Sequence, residues 1–181
     1  MKNRLLVFSL AVSLLLSACD FSFSGGSETD SGTSSTTSSI SGAQVNYTVS
    51  YDNTKWIVTP SDPTADTEYD FEHTDGDVYA MVIPERITVD LDTLKEAALA
   101  NAQAVAPDAV ITFEEEQTVN GVNLLVMKMT GTIYGTPFTY YGYYYGGTAG
   151  TIQFITYTTG DLMPQYEADL TELLKGLVIK E

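Results

Sequence analysis

The residues able to do chemistry are few. Histidine occurs once, at His73, and cysteine once, at Cys19. A single histidine rules out a multi-histidine metal site. The chain contains no Gly-x-Ser-x-Gly, Walker or Gly-x-Gly-x-x-Gly motif. The remaining enzymatic route is a Ser-His-Asp arrangement assembled from distant residues, as in a hydrolase. It would need His73 in a cleft, within hydrogen-bond reach of a Ser or Asp. With no local signature for it, His73 reads as a strand residue, and the chain as non-catalytic and without a cofactor.

Two other groups of side chains invite a ligand. Asp62, Asp66, Glu68, Asp70, Glu72, Asp75 and Asp77 crowd one segment, and calcium favours clustered oxygen ligands. A divalent-cation module is therefore an alternative. However, Asp75-Gly76 lacks the acids an EF-hand places two and four residues earlier, where His73 and Phe71 stand. Alternation of Glu68, Asp70 and Glu72 with Tyr69 and Phe71 reads more simply as the solvent face of a strand, leaving no metal site assigned. The second group is tyrosine. Tyr140, Tyr141, Tyr143 and Tyr145 are candidate ligand-binding residues for a glycan, peptide or apolar ligand, because tyrosine offers flat contact area with a polar tip. The competing expectation is that they fill the core.

Cys19 carries a different chemistry. Met1 to Arg4 form a basic head, and an apolar run from Leu5 to Leu16 follows, ending in Leu16-Ser17-Ala18-Cys19. This describes a secretory signal peptide over residues 1–18. A stable membrane span needs ~20 apolar residues, so the run is too short to serve as one. Leu-Ser-Ala-Cys resembles the lipobox of bacterial lipoproteins. That resemblance implies lipidation of Cys19, cleavage before it, and anchoring to membrane lipid through the acylated cysteine. The expected location is the extracytoplasmic face of a cell membrane. Asp20 resembles the inner-membrane retention signal of some Gram-negative systems, while the spacer after it suits a Gram-positive surface equally.

Residues 19–44 are rich in Ser, Thr and Gly and read as a flexible tether. Such a linker of about twenty residues spans on the order of 25 Å. Residues 45–181 are long enough for a single domain. Acidic residues number 24 against 8 basic ones. Removing residues 1–18 takes away Lys2 and Arg4 and no acid, so the formal charge of −16 falls to −18. That balance argues against nucleic acid, which must be met by basic side chains. It also leaves the lipid without electrostatic help at an anionic surface.

The domain must be built from strands and two helices. Leu91, Leu94, Ala98, Ala102 and Val105 share one stripe of a helix over Asp90–Ala106, stopped by Pro107. Tyr166, Leu170, Leu173, Leu174 and Leu177 do the same for Asp161–Lys175, with Pro164 in its first turn and Gly176 at its end. Strands are expected at Val45–Tyr51, Lys55–Thr59, Glu68–His73, Val78–Pro84, Ala109–Val119, Val122–Tyr134, Phe138–Tyr145 and Thr151–Thr158. Asn120-Gly121 is a hairpin turn, and Gly146–Gly150 a second loop. Aromatic residues on both sides of Phe138–Tyr145 call for a sheet covered on both faces. The expected fold is α+β, a largely antiparallel β-sheet flanked by helices in an α/β/α sandwich.

The order of these features resembles a known group. Trp56 and Pro60 follow the first strand, and a helix and the Val119-Asn120-Gly121 hairpin lie mid-chain. A Tyr-rich strand, the strand Gln153 to Thr158 and a closing Leu173-Leu174-Lys175-Gly176-Leu177 complete the set. Over residues 45–181 this looks like the PsbP-like or DcrB-like group. The resemblance implies an antiparallel sheet between helices. It also implies a non-catalytic binding or accessory module of the cell envelope, whose partner is an envelope protein or small ligand. It carries no catalytic motif and transfers no site residues.

Overall fold

The alternating runs form strands and the two 3.6-periodic runs form helices in a computed structural model that describes residues 36–180. In chain order the elements are β1 (Thr37–Ser41), β2 (Tyr47–Asp52), β3 (Trp56–Pro60), β4 (Tyr69–His73), β5 (Val78–Glu85) and α1 (Leu91–Val105). They continue with β6 (Val110–Val119), β7 (Val122–Ile133), β8 (Thr136–Gly147), β9 (Gly150–Thr159), α2 (Met163–Lys175) and β10 (Leu177–Ile179). All strand pairs are antiparallel. One sheet has the order β3-β4-β5-β9-β8-β7-β6, and a smaller one the order β1-β2-β10.

Tight turns generate half of the large sheet. Asn120 and Gly121 both take left-handed backbone angles, φ 50° and 90°. This is the pattern of a two-residue turn whose twist matches its flanking strands. Tyr134 and Gly135 repeat it at φ 49° and 84° between β7 and β8. Between β8 and β9 the pairing runs on to Gly147 and Gly150, so the expected five-residue loop shrinks to Thr148-Ala149.

Helix α1 begins at Asp90, whose carboxylate accepts the Thr93 N–H at 2.7 Å and so caps an otherwise unpaired donor. Leu94 and Ala98 pack on one face of the large sheet, over Ile83, Leu125, Met127, Met129, Tyr144 and Ile155. Helix α2 and the small sheet cover the opposite face. Leu170, Leu173, Leu174, Val49, Leu177 and Ile179 meet Tyr143, Tyr145, Ile152 and Phe154 there. Complete burial of such a leucine contributes about 1.5–3 kcal/mol, so this second interface is a principal source of stability. The layers are helix, sheet, and helix with a second sheet, which matches the α+β sandwich.

Three boundaries differ from expectation. Residues 37–41, placed in the tether by composition, form β1 and pair with β2, so the domain starts before residue 45. Backbone pairing and the packing of Ile40 hold this serine-rich edge in place, and neither shows in composition. Leu177 leaves the helical stripe: α2 stops at Lys175, and Leu177 reaches the core from β10. Val105, expected on the buried stripe, is 42% exposed, while Ala106 beside it is fully buried.

Candidate functional site

The Tyr-rich strand β8 is central, with β7 on one side and β9 on the other. Its side chains alternate between two packed faces. Tyr143 and Tyr145, 3% and 2% exposed, lie in the core beneath α2. Tyr141 is half-buried at the same interface, with the Lys128 ammonium 5.0 Å from its ring centroid. Tyr140 faces the other way, toward the α1 layer. The four candidate tyrosines therefore cannot line one groove, and Tyr143 and Tyr145 are core residues rather than a binding surface. Tyr144, also directed at α1, is wholly buried, and burial pushes its hydroxyl well above the ordinary tyrosine range.

Strand register assembles a different set of residues. Tyr79 of β5 stands opposite Tyr157 of β9, and Tyr157 stands opposite Tyr140 of β8. The Tyr79 and Tyr157 rings stack at 5.5 Å and 24°, and Tyr140 leans on Tyr157 at 6.2 Å and 37°. On the same face, Glu72 of β4 is opposite Tyr79, Asp70 is opposite Met81, and Ile57 of β3 is opposite Glu72. Helix α1 lies over β6, β7 and β8. The face at β3, β4 and the start of β5 is left open, with Ile57 54% exposed and Asp70 and Glu72 exposed.

This face is electronegative. The Tyr157 hydroxyl is pushed up to about 12, first by burial and then by Asp70, Tyr79, Tyr140 and Glu72. Asp70 accepts the Ser61 hydroxyl at 2.6 Å. Lys55 is engaged away from this face with Asp169 and Glu172, Lys95 with Asp92 and Glu114, and Lys128 with Glu167. Arg86 donates to the carbonyls of Gln44 and Ala43.

His73, at the end of β4, points to the opposite side of the sheet and is only 4% exposed. Its ring lies edge-on to Trp56 and to Tyr166 of α2, each with centroids at 5.0 Å. The Asp75 N–H donates to Nδ1 at 3.2 Å, which leaves the proton of a neutral ring on Nε2. Nε2 is 3.5 Å from Asp169 Oδ2 but makes no hydrogen bond. Asp169 Oδ1 meets the Lys55 ammonium at 2.9 Å. An aspartate is thus close to His73, as a triad would require, but aromatic rings enclose the imidazole and no hydroxyl bonds to it. A groove of 320 Å³ beside α2 is lined by Trp56, Glu172 and Gly176 among others, and does not include His73.

The acidic segment disperses. The Asp62 carboxylate accepts the N–H and hydroxyl of Thr64 in a local turn, and these bonds hold it below the usual carboxylate range. Glu68 accepts the Ala43 N–H at 2.6 Å and the Tyr47 hydroxyl at 2.7 Å, tying β4 to the small sheet. Asp70 and Glu72 occupy one face of β4, while Asp75 lies by His73. Among the described residues no three such ligands converge on a point that could hold a metal ion. Cys19, the signal peptide and residues 19–35 of the tether lie outside the described residues.

A seven-stranded antiparallel sheet between a crossing helix and a helix-backed second sheet is the PsbP-like fold. The solution structure of the cyanobacterial PsbP (CyanoP) of Synechocystis is similar to this chain with a TM-score of 0.62 and 12% identity. The match covers 86% of this chain and 98% of that one. LpqN, described as involved in cell envelope biogenesis of Mycobacterium tuberculosis, matches with a TM-score of 0.54 and 11% identity, over 82% of this chain and 88% of that one. By sequence, no protein-family model and no curated protein matches. Among the described residues, no helix is long and apolar enough to cross a membrane.

Proposed function

We propose that this chain is an exported lipoprotein whose acylated Cys19 holds a PsbP-like domain at the extracytoplasmic face of a membrane. There it acts as a non-catalytic binding or accessory module of the cell envelope. The observation that carries this reading is Leu16-Ser17-Ala18-Cys19 at the end of a basic-then-apolar leader, with Cys19 the sole cysteine. Two acyl chains on that residue anchor stably where one holds only marginally. The involvement of LpqN in envelope biogenesis is consistent with such a setting. The enclosure of His73 by Trp56 and Tyr166 favours a binding role over hydrolysis.

The test is Cys19→Ala in a bacterial host, followed by fractionation and intact-mass measurement. The wild-type protein should lack residues 1–18, carry added acyl mass and sediment with membranes. The variant should remain an uncleaved precursor or leave the membrane fraction. Identical partition and an identical acylated mass would refute the assignment.

A further inference from the structure

We propose that the sheet face left open beside α1, formed by Tyr79, Tyr157, Asp70 and Glu72 and bordered by Tyr140 where α1 begins to cover it, docks a cationic segment of a partner protein. The inference rests on the reading of the domain as a binding module and names the chemistry of its partner.

The face combines two features that select for positive charge. The first is a row of rings, Tyr79 stacked on Tyr157 at 5.5 Å and Tyr140 tilted against Tyr157 at 6.2 Å. The three rings are part-buried, and the portions that reach solvent attract ammonium and guanidinium groups, arginine also stacking on such rings. The second is the pair Asp70 and Glu72 on the adjacent strand, both exposed, with Asp70 accepting the Ser61 hydroxyl. Cross-strand register puts Glu72 directly opposite Tyr79, so one guanidinium can lie over a ring and meet a carboxylate together. The exposed Ile57 extends the face with an apolar border suited to the aliphatic stem of a lysine or arginine.

Charge complementarity decides the occupant. A second copy of the mature chain, at a formal −18 once Lys2 and Arg4 are removed from the −16 of the full sequence, would bring mainly acid to an acidic face. An anionic lipid surface would be repelled as well. A neutral glycan could use the rings and donate hydroxyls to the carboxylates, but it leaves their negative charge unmatched. A basic peptide segment uses both features.

The experiment measures binding of a fluorescein-labelled (Gly-Arg)₃ peptide to the full mature chain by anisotropy, with tyrosine ring shifts followed by NMR. Asp70→Asn/Glu72→Gln removes the charge of the face. Glu115→Gln/Glu116→Gln removes the same charge from β6 and serves as the control. Both pairs are exposed, and thermal melts establish that each variant is folded. Saturable binding is expected, with shifts concentrated at Tyr79, Tyr140 and Tyr157. The face variant should weaken it about tenfold and the control less than about twofold. Tyr79→Leu should weaken it by about two- to fivefold.

Equal losses in the two charge variants would reduce the effect to net charge and overturn the proposal, as would absence of saturable binding. Chitohexaose displacing the peptide, with affinity for chitohexaose unchanged in Asp70→Asn/Glu72→Gln, would reassign the face to glycans. A partner crosslinked in intact cells equally by wild type and face variant would overturn this face while preserving the binding-module reading. Failure of Cys19→Ala to change membrane partition would strike the anchoring alone.

Discussion

His73 Nε2 lies 3.5 Å from Asp169 Oδ2, and this approach joins β4 to α2 through the chain's single imidazole. Asp169 shares its other oxygen with Lys55, while Trp56 and Tyr166 close on the ring edge-on. His73→Ala removes a buried ring from the middle of this arrangement. It should lower unfolding free energy by about 2–4 kcal/mol, read from urea midpoints. A loss below about 1 kcal/mol would mean that the aromatic walls close without the imidazole.

Gly176 ends α2 where the chain touches β2. The Ser50 N–H donates to the Gly176 carbonyl at 3.0 Å, and a Cβ at Gly176 would collide with the Ser50 carbonyl oxygen. Gly176→Ala should therefore cost about 1–3 kcal/mol, since one backbone must move off the other. At Gly160 a new Cβ would meet Pro137 Cβ at an ordinary 3.7 Å. Gly160→Ala is the matched control, and its thermal midpoint should stay close to wild type.

Tyr134 holds φ at 49° in the β7–β8 turn with its side chain fully exposed. A tyrosine gains nothing from burial there, and the left-handed conformation penalises it. Asparagine adopts that conformation more readily. Tyr134→Asn should raise stability by up to about 1 kcal/mol. An unchanged or lower thermal midpoint would show that the exposed ring makes a compensating contact.

Alkali should unfold the domain through its tyrosines. Burial, followed by the Glu68 carboxylate, holds the Tyr47 hydroxyl protonated well above the ordinary range, and Tyr157 is pushed up from 10.0 to about 12. A raised folded pKa means that the fold prefers the neutral phenol. The resulting stability is fully present below pH 10 and is lost as pH rises through the folded value. For Tyr157 the window is pH 10 to about 12. Urea midpoints should be flat below it and fall within it, and Tyr157→Phe should lessen the fall. Equal slopes in the two proteins would contradict this assignment.

The parts legible in the chain were those set by neighbours in sequence. Asn120-Gly121 specifies its hairpin through backbone angles that few other residue pairs adopt. Asp90 caps α1 through a carboxylate three residues from its donor. The two-sided aromatic pattern of β8 required cover on both faces, and α1 and α2 supply it. What escaped depended on distance along the chain. β1 looks like tether because its order comes from pairing with β2. The Tyr79–Tyr157 stack joins strands separated by α1 and three further strands, so only their register creates it.

The sequence by itself therefore determined the element types, the two-faced sheet and the reading of Cys19, because periodicity, turn chemistry and a leader pattern are local properties. Tertiary structure alone decided which tyrosines became core and which a face. A strand's period of two assigns each side chain to a side, but only the placement of α1 and α2 decides which part of that side stays open. It also decided that Asp169 should meet His73, since no local pattern links a helix near the chain's end to a strand near its start.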